Sequence, residues 1–261
     1  MKIAITGKGG VGKTTLAGTL ARLYAAAGRP VLAIDADPDT NLATSIGIPP
    51  ERVAGIAPIA TMDDLIEERT GARPGSQAPF FKLNPRVDDL PETLSVEHQG
   101  VRLMIMGTVK RGGGGCICPE NVLLRSLVRH LLLERDEVII LDMVAGVEHL
   151  GRATADAVDA FIVVVEPGQR SIQTARTIRR LAADIAIRRI YAVGNKVRTP
   201  EERAFVEQET GDFPLLGIIS YRPEIVEADR RGVALYDLGG PAVEEIAAIR
   251  EALDRHIAGG R

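Results

Sequence analysis

The chain has 261 residues, 45% hydrophobic and 26% charged, the balance of a folded protein with a sizeable core, which excludes disorder as the main state. Lys and Arg number 32 against 35 Asp and Glu, a net charge of −3, and aromatics make up 3% with no Trp; a broadly basic nucleic-acid surface and a base-stacking single-strand platform are both disfavoured. Two cysteines exclude a disulfide scaffold, and one chain alone cannot close a four-cysteine metal cage.

Lys2–Thr6 reads as a strand, Lys13–Ala27 as a helix and Pro30–Asp35 as a second strand. From Gly47 to Gly100 the rhythm breaks. Prolines 49, 50, 58, 74, 79, 85 and 91 leave room for one short acidic helix near Met62–Arg69, so an irregular excursion is expected at about 48–100. An antiparallel edge pair is expected at Leu94–His98 and Arg102–Met106, with Met104 and Met106 in the packing. Further aliphatic runs follow at Val138–Asp142, Ala160–Glu166, Arg189–Asn195 and Leu215–Ser220. Helical patterns lie between and after them at Pro119–Glu134, Gln169–Ala186, Pro200–Thr210 and Pro241–Ile257, the charges of Arg176–Arg180 reading as a solvated face. Apolar runs without alternation suit parallel strands covered on both faces. The expectation is one α/β domain over residues 1–261 with a doubly wound, mostly parallel sheet. Val138–Leu141 and Ala160–Val165 are the longest apolar runs, far short of a bilayer span, and no signal-peptide pattern follows Met1. A cytoplasmic protein without membrane or nucleic-acid partners is expected.

Gly7-Lys8-Gly9-Gly10-Val11-Gly12-Lys13-Thr14-Thr15 follows the first strand and opens the first helix, fitting the P-loop pattern G-x-x-x-x-G-K-[ST]. The amides of Gly9, Gly10, Val11, Gly12, Lys13, Thr14 and Thr15 can turn inward around phosphate oxygens, aided by the helix N-terminus. Lys13 is expected at the β/γ-phosphates and the Thr14 hydroxyl on Mg²⁺. Val138–Asp142 reads as an apolar strand ending in one carboxylate, so Asp142 is expected to hold Mg²⁺ through water, and Ala145-Gly146 to bring an amide towards the γ-phosphate. Asn195-Lys196 lacks the Asp of the guanine-reading N-K-x-D motif, since Arg198 stands there; adenine, hence ATP, is favoured.

Lys8, just after the first glycine, gives the loop the deviant Walker A form, and here the chain resembles the MinD/ParA/nitrogenase-iron-protein group of ATPases. That resemblance implies a P-loop NTPase fold and a homodimer in which Lys8 reaches the opposite nucleotide as a cation supplied in trans. It also implies that Asp37 orients the attacking water, that Asp35 supports the magnesium shell, and that Asn195, Arg222 and Pro223 neighbour adenine. Asp39 is expected to be solvated or helix-capping.

Cys116 and Cys118 stand in Gly112–Pro119, a glycine run leading into a helix. Positions i and i+2 of an extended backbone face one side, and the helix start favours thiolate at Cys118. Zinc, nickel, copper(I) and iron–sulfur clusters all accept such ligands. Two thiolates do not fill a tetrahedral site, but a symmetric dimer supplies four. With the C-x-C, the A-G-x-E-H-L-G-R run at 145–152 and Val164–Gly168, the chain resembles the CooC family, accessory ATPases that assist nickel insertion into carbon monoxide dehydrogenase. The resemblance implies a metallochaperone binding Ni²⁺ or Zn²⁺ through Cys116 and Cys118 across a dimer. Its implied client is carbon monoxide dehydrogenase, alone or joined to acetyl-CoA synthase. Val144 departs from the glutamate expected there, and His149 is read as a switch or interface residue. The alternatives are an iron–sulfur carrier or electron-donor ATPase, and a MinD/ParA-like positioning ATPase. Against the latter, Glu244–Ile257 lacks the bulky apolar, basic face of a membrane anchor.

Overall fold

The computed structural model describes residues 1–37, 39–76, 80–108, 118–147, 150, 154 and 157–259. Strand β1 (Lys2–Gly7) leads through the glycine loop into α1 (Lys13–Ala26), and β2 (Val31–Ala36) follows. Helix α2 (Leu42–Ile46) precedes the excursion, which carries three short helices, α3 (Pro50–Val53), α4 (Asp63–Thr70) and α5 (Leu90–Thr93), and one 3-10 turn at Ile59–Thr61. Next come β3 (Ser95–His98), β4 (Val101–Ile105), α6 (Pro119–Glu134), β5 (Val138–Met143) and β6 (Ala160–Val165). The chain continues with α7 (Gln169–Asp184), β7 (Ile190–Val197), α8 (Pro200–Glu209), β8 (Leu215–Ser220), α9 (Pro223–Arg231), α10 (Leu235–Leu238) and α11 (Pro241–Gly259).

The strands form an eight-stranded sheet in the order β3-β4-β2-β5-β1-β6-β7-β8. Among its pairings β3 with β4 is antiparallel, Ser95 facing Met104 and His98 facing Val101, as expected at that edge; the others are parallel. Alternation along each strand divides the core between two faces. Leu32, Ile34, Ile139, Leu141, Met143, Phe161, Val163 and Val165 join one cluster with α6 and α7. Val31, Ala33, Val138, Ile140, Ala160, Ile162 and Val164 join the other with α1 and α11. Both faces are covered, which is why these strands read as unbroken apolar runs.

The excursion is more ordered than its prolines suggested. Ile59, Ile66, Val87 and Leu90 are buried in the α6-side core, so isolated apolar residues anchor a segment without a strong period. On the other face α2 lies very close to α1: a Cβ on Gly18 would sit 2.6 Å from Cβ of Ser45. Met104 and Met106 are fully buried, as expected. Arg176 and Arg179 are exposed and pair with Glu209 at 2.7 Å and Asp212 at 2.9 Å. No helix among the described residues is long and apolar enough to cross a membrane.

Strand β1 lies between β5 and β6. The chain leaves β1 towards β2 on one side, and the β5-to-β6 connection crosses to the other. A crevice therefore opens at the carboxyl end of β1, the place where open α/β sheets bind ligands.

Candidate active site

The glycine loop lies at that crevice. Gly12 precedes α1 with φ 96°, a left-handed conformation, and a Cβ there would collide with the Asn195 amide. Asn195, at the end of β7, donates from Nδ2 to the Val11 carbonyl at 2.7 Å, and its Oδ1 accepts from the Lys196 amide at 2.8 Å. Lys196 Nζ donates to the Gly10 carbonyl at 2.5 Å. Two residues from a distant strand thus fasten two consecutive carbonyls of the loop. Turning carbonyls outward in this way leaves amides free to face an anion.

A cleft of about 960 Å³ runs from this loop to α9 and α10. Gly9, Gly10, Gly12, Lys13, Thr14, Thr15, Asp37, Asn195 and Arg222 all line it, so the structure gathers most of the residues expected from the sequence. Val11 is fully buried beneath the loop. Pro223 is exposed at the start of α9, behind Arg222, and is not on the lining surface. Tyr221, Ile225, Val226, Val233 and Leu235 form the apolar end of the cleft. Arg198 stacks over the Tyr221 ring at 4.4 Å, and Arg222 Nη2 donates to Glu245 Oε1 at 2.9 Å. The Glu245 carboxylate also accepts from the amide and hydroxyl of Ser220, both at 2.8 Å, which fixes the end of β8.

Below the loop, Asp35 and Asp142 face each other in register on neighbouring strands. Burial pushes the Asp142 carboxyl up to about 6 against the opposing pull of the Thr14 hydroxyl and the Lys13 ammonium. Both Asp142 oxygens are buried without a hydrogen-bond partner among the described residues. Burial likewise raises Asp35 to about 7, countered by the Leu42 amide and reinforced by the nearby Asp142 charge. Asp35 is differently used: Oδ1 accepts from the Asp37 amide at 3.2 Å and Oδ2 from the Leu42 amide at 3.0 Å. It ties the Asp37 turn to the start of α2, which suits support beside a cation rather than ligation. An orphaned buried carboxylate beside a hydroxyl and close to a second carboxylate is a donor set that fits Mg²⁺.

Asp39 is exposed on the cleft lining; Asn41, not Asp39, precedes α2. The Gly146 amide, expected near a γ-phosphate, instead donates to the Thr6 hydroxyl at 3.1 Å, while Ala145 lines the cleft. That hydroxyl donates onward to the carbonyl of Val144 at 2.8 Å. Lys8 is off the lining, its Nζ 3.0 Å from Glu166 Oε1. Cys118 is half-buried, extended at φ −120° and ψ 155°, and stands immediately before α6. Cys116 and His149 lie outside the described residues, as does half of the 145–152 run. Among the described residues no three His, Cys, Asp or Glu side chains converge into a metal-holding group.

Sequence reasoning missed α9 and α10, which carry the apolar end of the cleft. The signals were present: Pro223 at the first turn, Arg230 and Arg231 in the last, and Gly232 at φ 63° just beyond. It also missed Glu166 and Lys196 as neighbours of the loop, which no local pattern reveals.

Residues 2–235 match the family described as the CobQ/CobB/MinD/ParA nucleotide binding domain. The chain is 48% identical over 253 residues to the carbon monoxide dehydrogenase accessory protein CooC of Rhodospirillum rubrum, covering 97% of this chain and 96% of that one. It is 44% identical over 252 residues to an uncharacterized ATP-binding protein of Methanocaldococcus jannaschii, covering 95% and 96%. In fold it is similar to MinD in the MinC:MinD cell division complex of Aquifex aeolicus, with a TM-score of 0.67, 21% identity and coverage of 98% and 96%. A plasmid partition protein of Borrelia burgdorferi bound to AMPPNP gives a TM-score of 0.71 at 16% identity, covering 98% and 99%.

Proposed function

The chain belongs to the CobQ/CobB/MinD/ParA nucleotide-binding family and is an ATP-hydrolysing enzyme, and from that premise we propose that it is an ATP-driven metallochaperone for the nickel site of carbon monoxide dehydrogenase. The observation that supports this most strongly is the 48% identity with the Rhodospirillum rubrum accessory protein across 97% of the chain. The proposal treats residues 1–261 as one cytoplasmic domain that works as a homodimer.

The P-loop amides and Lys13 bind the β- and γ-phosphates and neutralise the charge that develops as the γ-phosphoryl leaves ADP. Asp37 on the exposed rim orients the attacking water. Mg²⁺ arriving with ATP supplies further neutralisation of the phosphate oxygens; the Thr14 hydroxyl and Asp142 would hold it, with Asp35 beside them. Asn195 serves first to hold the loop. The apolar end formed by Tyr221, Ile225 and Val226 suits an adenine face, with Arg222 at its edge. Lys8 reaches the nucleotide of the opposite subunit when two chains close.

Nickel is the cargo. Cys116 and Cys118 from each subunit give four thiolates at the dimer axis, a complete tetrahedral set only when both chains are present. Nucleotide state and metal affinity are then linked reciprocally: whatever ATP does to metal binding, metal does to ATP binding. Replacing Cys116 and Cys118 together by Ala is expected to abolish tight Ni²⁺ binding in anaerobic equilibrium dialysis while ATP binding is kept. Stoichiometric nickel retained by that variant would rule the assignment out.

A further inference from the structure

Lys8 is the residue on which the proposed dimer mechanism turns, and in this structure it is already engaged. Its Nζ lies 3.0 Å from Oε1 of Glu166, the first residue after β6. The other oxygen, Oε2, lies 3.6 Å from Nζ of Lys196, which itself donates to the Gly10 carbonyl. The Glu166 main chain is fixed, since its amide donates to Oγ of Ser171 at 3.0 Å. One carboxylate anchored to the sheet thus holds two ammonium groups at the rim of the phosphate loop, one on each oxygen. All three side chains are partly exposed, at 39%, 26% and 42% for Lys8, Glu166 and Lys196.

We infer that Glu166 is a positioning residue that retains Lys8 on its own subunit and so sets how readily two nucleotide-loaded chains close. The inference rests on the proposal that Lys8 acts across the dimer. Lysine is a flexible point charge, so leaving Glu166 needs only side-chain rotation and no refolding of the loop. Nor does it strand the carboxylate, because Lys196 stays beside the second oxygen. Release is therefore an exchange of partners, not the baring of an unpaired charge. A partly exposed ion pair of this kind is worth a factor of about 1.4 to 5. Two pairs dissolve when a symmetric dimer closes, so retention shifts the closing equilibrium by about 2- to 25-fold towards separate chains. Lys196 cannot take the place of Lys8, since it is bonded to the loop.

The test is ATP turnover per chain as a function of protein concentration at saturating Mg-ATP. Sedimentation with a non-hydrolysable ATP analogue gives the association midpoint independently. Glu166→Gln is expected to lower both midpoints by about 2- to 25-fold and to reach the wild-type plateau rate, with nucleotide affinity of the separate chain unchanged. Glu166→Ala repeats the test without an amide that could still hold Lys8. In a Lys8→Ala background, Glu166→Gln is expected to change nothing further, as required of a residue that acts through another. Midpoints that stay put or rise in both Glu166 variants, or a lowered plateau, would overturn the inference while leaving the role of Lys8 standing. Wild-type turnover and midpoint in Lys8→Ala, or a wild-type rate independent of protein concentration, would instead remove the dimer reading, and this inference with it.

Discussion

The two ends of the cleft are built on different principles. At the phosphate-loop end, Gly9, Gly10, Gly12, Lys13, Thr14 and Thr15 line the cleft, and two side chains from β7 hold the Gly10 and Val11 carbonyls through buried or short hydrogen bonds. At the opposite end, the lining comes from β8, α9 and α10, with Tyr221 43% and Val226 50% exposed and Arg222 in a partly exposed ion pair with Glu245. In the proposed function the loop end takes the phosphates, where charge must be placed to within a fraction of an ångström for phosphoryl transfer, and the far end takes the base. An adenine ring asks for apolar surface and few polar contacts, and a looser wall suffices.

This contrast can be broken by substitution, and the largest effect is expected at the phosphate end. Lys13→Ala is expected to lower ATP turnover by at least about 100-fold in a steady-state phosphate-release assay, as loss of a charge aimed at the reacting phosphoryl group does. Gly12→Ala comes next. A left-handed alanine costs about 1–2 kcal/mol, and the new methyl displaces the Asn195 amide as well. Urea unfolding of the nucleotide-free protein is expected to show a loss of about that size or more, and ATP affinity should fall with it. Arg222→Ala sharpens the comparison from the other end, where the lost ion pair is partly exposed. A KM for ATP raised less than about 10-fold at unchanged kcat is expected there, since only ground-state binding is touched. A kcat loss as large as that of Lys13→Ala would erase the distinction between the two ends.

The same division explains what the sequence made legible. The phosphate loop, the aspartates ending β2 and β5 and the parallel strands are encoded locally, by spacing and by uninterrupted apolar runs. Their positions differ from expectation by a residue or two at most. The apolar end escaped because α9 is short and highly charged, with too few apolar residues to mark a helical period. Of the short helices between residues 42 and 93, α4 is the acidic helix expected near Met62–Arg69; α2, α3 and α5 escaped because each is only four or five residues long, and Ile59, Ile66, Val87 and Leu90 pack into the core one at a time, without a period. The pairing of Lys8 with Glu166 and the stapling of the loop by Asn195 join residues 158 and 184 positions apart. Such contacts follow from strand order, which no local pattern carries. The Gly146 amide was expected at a phosphate and instead meets Thr6, because the carboxyl ends of β1 and β5 lie side by side.

The proposal that two chains complete one metal site under nucleotide control is tested most directly by nickel stoichiometry, measured anaerobically with and without a non-hydrolysable ATP analogue. One Ni²⁺ per two chains, bound more tightly with the analogue than without it, is the predicted result. One Ni²⁺ per chain, or an affinity that ignores nucleotide, would contradict it.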